Sequence, residues 1–92
     1  ERLLDFRAAW QLSGHQDEVW CGAWSRCGRF LATGSRDRSV QIAQFDGARR
    51  SLLRSLSLPN HGATVSALSF SPSGRLLATA ADRTIRVWEG AG

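Results

Sequence analysis

The chain has 92 residues, of which 42% are hydrophobic and 22% are charged, a balance typical of one small soluble globular domain. This composition excludes collagen and intrinsic disorder. No stretch reaches the roughly 18 apolar residues of a membrane-spanning helix, and the first residues lack the pattern of a signal peptide. We expect no membrane partner.

All twelve basic residues are arginine, and the eight acidic residues leave a net charge of +4. Arginine pairs with phosphates in a fork geometry, so nucleic-acid binding has to be considered. The arginines are scattered singly apart from Arg49 and Arg50, whereas a phosphate-binding surface usually shows clustering. We therefore favour a GC-rich coding sequence as the reason for the arginine use and keep RNA binding as the alternative.

The cysteines and histidines are too few for a structural metal site. Cys21 and Cys27 are six residues apart, and only His15 and His61 could add imidazole ligands. A structural zinc site needs four well-spaced ligands, so we expect no metal and no cofactor. A disulfide would require an oxidising compartment; we favour free thiols in the cytoplasm, with the nucleus as the alternative.

The chain contains an internal repeat, because it matches itself at a shift of 46 residues. The matches begin with His15 and His61 and continue to Thr33 and Thr79. After one deletion the shift becomes 45, and the Asp-Arg pair at 37–38 recurs at 82–83. Two copies of one structural unit are therefore present.

Short apolar runs separated by turn residues predict β-strands in both copies. In chain order, the predicted strands are 8–12, 19–24, 30–34, 40–45, 51–57, 65–70, 76–80 and 84–88. Asp46-Gly47 predicts a turn between two of them, and Pro72 with Gly74 predicts another. Four antiparallel strands per unit of 45 or 46 residues predict an all-β fold of propeller blades.

Three stretches carry a family resemblance: Gly14-His15, the run from Ser71 to Thr79 and the run from Asp82 to Glu89. In this order, and twice, they resemble the signature of WD40 repeats over residues 14–45 and 60–89. The resemblance implies residues 1–13 as the outer strand of a preceding blade, 14–58 as repeat 1, and 59–92 as repeat 2 without its outer strand. About two blades cannot close a ring of roughly four to eight, so we expect a segment of a larger propeller or part of an assembly.

The resemblance also implies a hydrogen-bonded tetrad of His, Ser or Thr, Asp and Trp in each blade. In repeat 2 the matching residues are His61, Thr79, Asp82 and Trp88. In repeat 1 the matching residues are His15, Thr33 and Asp37, with Ala43 in place of the Trp. We expect Asp82→Ala to destabilise the protein more than Asp37→Ala, because repeat 1 already lacks a member.

Two departures from the pattern concern loop and core geometry. Asn60 replaces the usual Gly before His61, and repeat 2 is one residue short ahead of Asp82. We expect the side chains around Ala43 to have closed over the space of the missing Trp, so that Ala43→Trp would overpack the core.

The residues do not favour an enzyme. Neither repeat has the Gly-x-Ser-x-Gly elbow of a hydrolase, and Gly14 and Gly62 are isolated rather than part of a phosphate-binding loop. A buried His bonded to an Asp is interpreted here as an orienting network and not as a general base.

The WD40 resemblance implies a non-catalytic scaffold for other proteins in a multiprotein complex. In that family, two positions per repeat lie at the rim of the channel and commonly bind peptides; here they are Trp20, Arg36, Ser66 and Ala81. Tryptophan and arginine are enriched among interface hot spots. If Trp20 packs on a neighbouring blade instead, the interface would move to Arg49-Arg50.

Two alternative functions remain. One is an RNA-binding propeller that uses arginine contacts. The other follows from the run Asp17-Glu18-Val19-Trp20, which is similar to the propeller subunit of CTLH-type ubiquitin ligases and would imply substrate recruitment.

Overall fold

The computed structural model describes residues 11–46, 51–58 and 61–90, which form seven antiparallel β-strands in two sheets. The first sheet has the order β1 (Val19–Trp24), β2 (Phe30–Ser35), β3 (Val40–Asp46) and β4 (Ser51–Leu58). The second has the order β5 (Val65–Phe70), β6 (Leu76–Ala81) and β7 (Thr84–Glu89). The predicted all-β class is confirmed. Within these residues no helix has the length and apolar character needed to cross a membrane.

Local patterning places the strands to within one residue. β1 and β5 have the predicted bounds, and the other five strands end one residue later. The added residues complete ladders, as where Ser35 pairs with Val19 and Ala81 with Thr84. Of the predicted strand at 8–12, residues 8–10 lie outside the described residues and residues 11–12 are not in a strand. Gly47 and Asn60 also lie outside the described residues.

The β1–β2 and β5–β6 connections are the same turn built twice. The hydroxyl of Ser25 accepts a hydrogen bond from the first N–H of β2 at 3.0 Å, and that of Ser71 accepts one from the first N–H of β6 at 3.1 Å. Gly28 and Gly74 have φ values of 76° and 77°, in the left-handed region that favours glycine. Identical turn chemistry therefore sets the same strand geometry in both repeats.

The core lies between the two sheets, where β1 and β2 pack against β5. Its centre is Ala32, Val40, Val65 and Leu77, each at most 3% exposed. Half-buried apolar side chains surround this centre: Cys21, Ile42, Leu58, Leu68, Phe70 and Trp88. The two repeats are thus held together by one apolar interface.

Gly34 on β2 marks a close approach between the sheets. A Cβ atom at this position would lie 2.6 Å from Cγ1 of Val65 and 2.7 Å from Sγ of Cys21. Both separations are below van der Waals contact, so any side chain here would force the sheets apart.

We expect Gly34→Ala to destabilise the protein by about 1 to 3 kcal/mol through overpacking. Gly22→Ala is the matched control, because a Cβ at Gly22 would lie 3.6 Å from the carbonyl oxygen of Ala32, an ordinary contact. Urea unfolding of the full-length protein measures both variants. Equal free energies of unfolding would show that the sheets do not approach as closely as described.

Candidate functional site

In repeat 1, a histidine connects the segment before β1 to β2 and to the β2–β3 turn. Nδ1 of His15 lies 3.0 Å from Oδ2 of Asp37, and its Nε2 lies 2.8 Å from Oγ1 of Thr33. Because a carboxylate accepts only, Nδ1 carries a proton and donates to Asp37, while Nε2 lies within hydrogen-bond distance of the Thr33 hydroxyl. The structure brings together these three residues, which the WD40 resemblance had pointed to.

Asp37 is the acceptor on which this turn depends. The backbone N–H groups of Gln16 and Ser39 donate to its carboxylate, each at 2.9 Å, and so does the Ser39 hydroxyl. Burial raises the pKa of Asp37, but the hydrogen bonds from Ser39, Gln16 and His15 outweigh this and hold the pKa well below its ordinary value. At neutral pH, Asp37 is therefore an ionised acceptor that orients the loop.

In repeat 2, a threonine on β6 joins a histidine and a tryptophan. Oγ1 of Thr79 lies 3.0 Å from Nε2 of His61 and accepts a hydrogen bond from Nε1 of Trp88 at 3.1 Å. The two rings lie 5.7 Å apart between centroids. Three of the four residues expected in this tetrad are in contact.

The fourth residue, Asp82, does not reach this network. Asp82 is exposed, with a φ of 56°, and Nδ1 of His61 is buried with no hydrogen-bond partner among the described residues. The cause is a shorter connection between β6 and β7. Four residues lie between the paired Ala80 and Ile85, whereas five lie between the equivalent pair in repeat 1, Gly34 and Val40. The expected tetrad of repeat 2 is therefore a triad of His61, Thr79 and Trp88, and Asp82 is not part of it.

A cavity of about 640 Å³ lies beside Ala43, on the face of the first sheet that points away from the second. Its walls include Leu12, Trp24, Gln41 and Phe45. Residues 1–10, which precede one wall of this cavity, lie outside the described residues, so the expectation that Ala43→Trp would overpack the core stays a prediction.

A second candidate site lies at the start of β1, where a β-bulge turns a tryptophan outward. The β1–β2 register shifts between Val19 and Cys21, so Trp20 has no partner on β2, and its side chain is 58% exposed. Oε1 of Glu18 accepts a hydrogen bond from Nε1 of Trp20 at 3.4 Å and lies 3.6 Å from a guanidinium nitrogen of Arg36. We call Glu18, Trp20 and Arg36 the rim patch.

The other two predicted binding residues behave differently from each other. Ser66 lies at the equivalent bulge of β5, is exposed, and donates to the carbonyl oxygen of Ala80 at 3.3 Å. Ala81 is only 3% exposed, so the structure places it in the core and not at a surface. Sequence reasoning missed Glu18 as a site residue, although its position two residues before Trp20 was visible.

The described residues do not assemble a metal centre. No group of three or more histidine, cysteine, aspartate or glutamate side chains within 11–46, 51–58 and 61–90 could hold a metal ion. In both networks the histidine is bonded to a threonine hydroxyl on its own sheet. The geometry of these histidines is that of orienting hydrogen bonds.

Comparison with known proteins identifies the repeats. A model of the family described as WD domain, G-beta repeat, matches residues 7–42 and 51–89. The chain belongs to the WD40-repeat family. The expected resemblance is confirmed, and the hydrogen-bonded networks described above belong to two WD40 repeats.

Several curated WD40 proteins are similar to the chain. A probable cytosolic iron-sulfur protein assembly protein Ciao1 of Culex quinquefasciatus is 34% identical over 85% of the chain and 23% of its own length. Protein CIA1 of Arabidopsis thaliana is 34% identical over 100% of the chain and 29% of its own length. A U3 small nucleolar RNA-associated protein 15 homolog of Xenopus tropicalis is 37% identical over 82% of the chain and 14% of its own length. The chain thus spans less than a third of each relative.

Asp37→Asn should destabilise the WD40 fold by about 1 to 3 kcal/mol, because the amide nitrogen would face either the donors of His15 and Gln16 or those of Ser39, which would lose their acceptor. Asp82→Asn is the matched control, since asparagine tolerates a positive φ and Asp82 is exposed. Its effect should stay within about 0.5 kcal/mol. Chemical denaturation of the full-length variants gives both values.

We thus expect a larger loss of stability at Asp37 than at Asp82, the reverse of the order expected from the WD40 resemblance alone. A larger loss in Asp82→Asn than in Asp37→Asn would restore the original assignment of the tetrad.

The stability of repeat 2 should fall in mild acid. Burial lowers the pKa of His61, and the charge of Arg86 lowers it further. As the pH falls, the imidazole of His61 is therefore protonated at a higher pH in the unfolded chain than in the folded protein. The stability that the neutral imidazole contributes is fully present above the unfolded pKa of about 6.5, and it is lost as the pH falls through the folded pKa. Thermal unfolding of the full-length protein at about pH 7.5 and about pH 5.5 should show a lower midpoint in acid.

His61→Gln is the control for this pH dependence, because glutamine can bond Thr79 without titrating. The variant should lose less stability than the wild type between the two pH values. An unchanged pH dependence would assign the effect to another group.

Proposed function

We propose that the chain is a non-catalytic platform for protein–protein interaction within a WD40 propeller subunit of a larger complex. Membership of the WD40 family supports the role of an interaction platform. The chain covers only part of the length of its relatives, which supports a larger propeller. Within that propeller, we assign residues 14–58 and 59–92 to two repeats and residues 1–13 to a preceding blade.

The observation that carries the proposal is the rim patch. Trp20 is exposed although it lies on a strand, because the bulge turns its side chain out of the ladder. A large exposed aromatic beside an arginine is the composition of an interface hot spot. Neither side chain is needed for the core between the sheets.

The patch is held in place before any partner binds. The backbone N–H of Arg36 donates to the carbonyl oxygen of Glu18 at 2.9 Å, and the hydroxyl of Ser35 donates to the same oxygen at 2.8 Å. These bonds fix the loop before β1 against the β2–β3 turn. A partner therefore pays little ordering entropy, and Arg36 is positioned to bind a carboxylate on it.

The names of the relatives support a subunit of a multiprotein assembly. Of the relatives named above, one is named for cytosolic iron-sulfur protein assembly and one for association with a small nucleolar RNA. We infer a cytoplasmic subunit, with the nucleus as the alternative location.

Trp20→Ala and Arg36→Ala in the full-length protein should each weaken binding of the protein partner by about 2 kcal/mol, roughly 30-fold in Kd. Trp24→Ala is a matched control, because Trp24 is 57% exposed and lies outside the rim patch. Arg83→Ala is the corresponding control for Arg36→Ala, because Arg83 is also exposed. Partners recovered with the wild type are identified, and their affinities for the four variants are measured.

The outcomes separate the alternatives. Wild-type affinity in both rim variants, with the fold intact, would overturn the proposed site. Binding that falls steeply with salt and persists in the rim variants would favour RNA. Recovery of ubiquitin-ligase subunits through the rim patch would favour substrate recruitment.

A further inference from the structure

Three arginines from the two repeats lie on neighbouring turns of the structure. Arg26 and Arg29 belong to the β1–β2 turn and Arg75 belongs to the β5–β6 turn, and all three are exposed. The two turns lie against each other, because a Cβ atom on Gly74 would be 4.0 Å from Cβ of Ser25. We call Arg26, Arg29 and Arg75 the arginine face.

The arginine face lies at the end of the blades opposite the rim patch. The β1–β2 ladder runs from the pair Val19 and Ser35, beside the rim patch, to the pair Trp24 and Leu31, beside the arginine face. Blades pack sheet face against sheet face, as β1 and β2 do against β5. Neighbouring blades therefore cover the faces of a sheet and not the turns at its ends, so the arginine face stays at the surface of a closed propeller.

The two ends of the blades differ in charge. Among the described residues, the end with the arginine face has a net charge of +2, from Arg26, Arg29, Arg54, Arg75, Asp46 and Glu89. At the opposite end Asp17, Glu18, Asp37 and Asp82 outnumber Arg36, Arg38 and Arg83, which leaves a net charge of −1. The first end therefore attracts anions more strongly than the second.

The guanidinium groups of the arginine face have no carboxylate partner within the described part of the chain. The ion pairs formed between described residues join His15 to Asp37 and Arg36 to Glu18, and both lie at the opposite end. An external anion would therefore not have to displace an internal one.

Arg29 and Arg75 occupy equivalent places in the two repeats. The carbonyl oxygen of Arg29 accepts a hydrogen bond from the backbone N–H of Phe45, and that of Arg75 accepts one from Gly90, each at 2.7 Å. These bonds tie the backbone of each arginine to the end of the third strand of its own blade. A cation is thus presented once per blade at the same place.

A cation repeated from blade to blade matches an anion repeated along a chain. A nucleic acid strand carries one phosphate per nucleotide, and the planar guanidinium group binds a phosphate through two parallel hydrogen bonds. The turns at 25–29 and 71–75 contain no aromatic side chain on which a base could stack. Such contacts position a phosphate backbone without reading the bases.

We propose that the arginine face binds the phosphodiester backbone of a nucleic acid strand, independently of its base sequence. The site shares no residue with the rim patch, so it goes beyond the proposed function and each of the two sites can fail alone. Arg26, whose place in repeat 2 is taken by Pro72, adds a second cation in repeat 1.

The test measures binding of the full-length protein to a fluorescein-labelled oligouridine RNA of about 20 nucleotides by fluorescence anisotropy, at about 50 to 200 mM salt. The double variant Arg29→Gln, Arg75→Gln should weaken binding by about tenfold or more, because it loses charge-assisted hydrogen bonds to phosphate. The slope of log Kd against log salt concentration should fall by about 1 to 2, since each phosphate contact to a single strand contributes about 0.7.

The double variant Arg38→Gln, Arg83→Gln is the matched control. It also removes two exposed arginines that are equivalent in the repeats, but at the opposite end. Its affinity for the RNA should stay within about twofold of the wild type, because salt screens charges that lie more than about 10 Å from a phosphate.

Cys27 provides a second readout beside the arginine face. Its thiol is exposed, and hydrogen bonds from the Ser25 hydroxyl and the backbone N–H of Arg29 lower its pKa, which favours the reactive thiolate. A bound strand would cover this thiol, so alkylation of Cys27 by iodoacetamide, followed by mass spectrometry, should slow when RNA saturates the protein. Alkylation of Cys21, which is half-buried between the sheets, should not change.

The proposal is overturned if the wild type shows no saturable binding at low salt, if the two double variants lose affinity equally, or if Cys27 is alkylated at the same rate in the saturated complex. An oligothymidine DNA of the same length should bind as tightly as the RNA, and a clear preference for RNA would contradict recognition of the backbone phosphates alone. Stronger competition by polyglutamate than by the oligothymidine would replace the nucleic acid by an acidic polypeptide.

Discussion

The face-to-face packing of one sheet on the next is the constraint on which the rest of the structure depends. Val40 on β3 is 0% exposed because β5 and its neighbours cover it, whereas Ile85, at the equivalent position of β7, is 72% exposed. The two side chains have similar size and polarity, so only the presence of a neighbouring sheet differs. Burial of apolar surface contributes about 25 cal/mol per Å². The stability of each blade therefore comes mainly from its neighbours, as in other repeat proteins.

The two repeats have lost different members of the same network. Repeat 1 keeps an aspartate, Asp37, but has Ala43 in place of the tryptophan; repeat 2 keeps Trp88 but has no carboxylate on His61. Both keep the bond between histidine and threonine, which joins the segment before the first strand to the second strand. That bond is thus the common structural element, and among the described residues the lack of a carboxylate in repeat 2 leaves Nδ1 of His61 without a hydrogen-bond partner.

The rim patch shows how a backbone irregularity positions a functional side chain. A bulge leaves Trp20 out of the β1–β2 ladder, and the same bulge in β5 leaves Ser66 out of its ladder. The backbone geometry is repeated, but the side chains differ, so the first blade presents an aromatic surface and the second a small polar one. Glu18 then links Trp20 to Arg36 through two contacts at the surface.

The amino-acid sequence by itself determined seven strands, the turn from Ser71 to Gly74 and the family, because these depend on alternation, on Ser and Gly at fixed positions in a turn, and on the order of short motifs. It could not place Asp82, since one deleted residue closes the hairpin before the carboxylate can reach His61. Only the tertiary structure decided that Ala81 is buried and that Glu18 belongs to the rim patch. These features depend on contacts between residues that are far apart along the chain, and no local sequence pattern encodes such contacts.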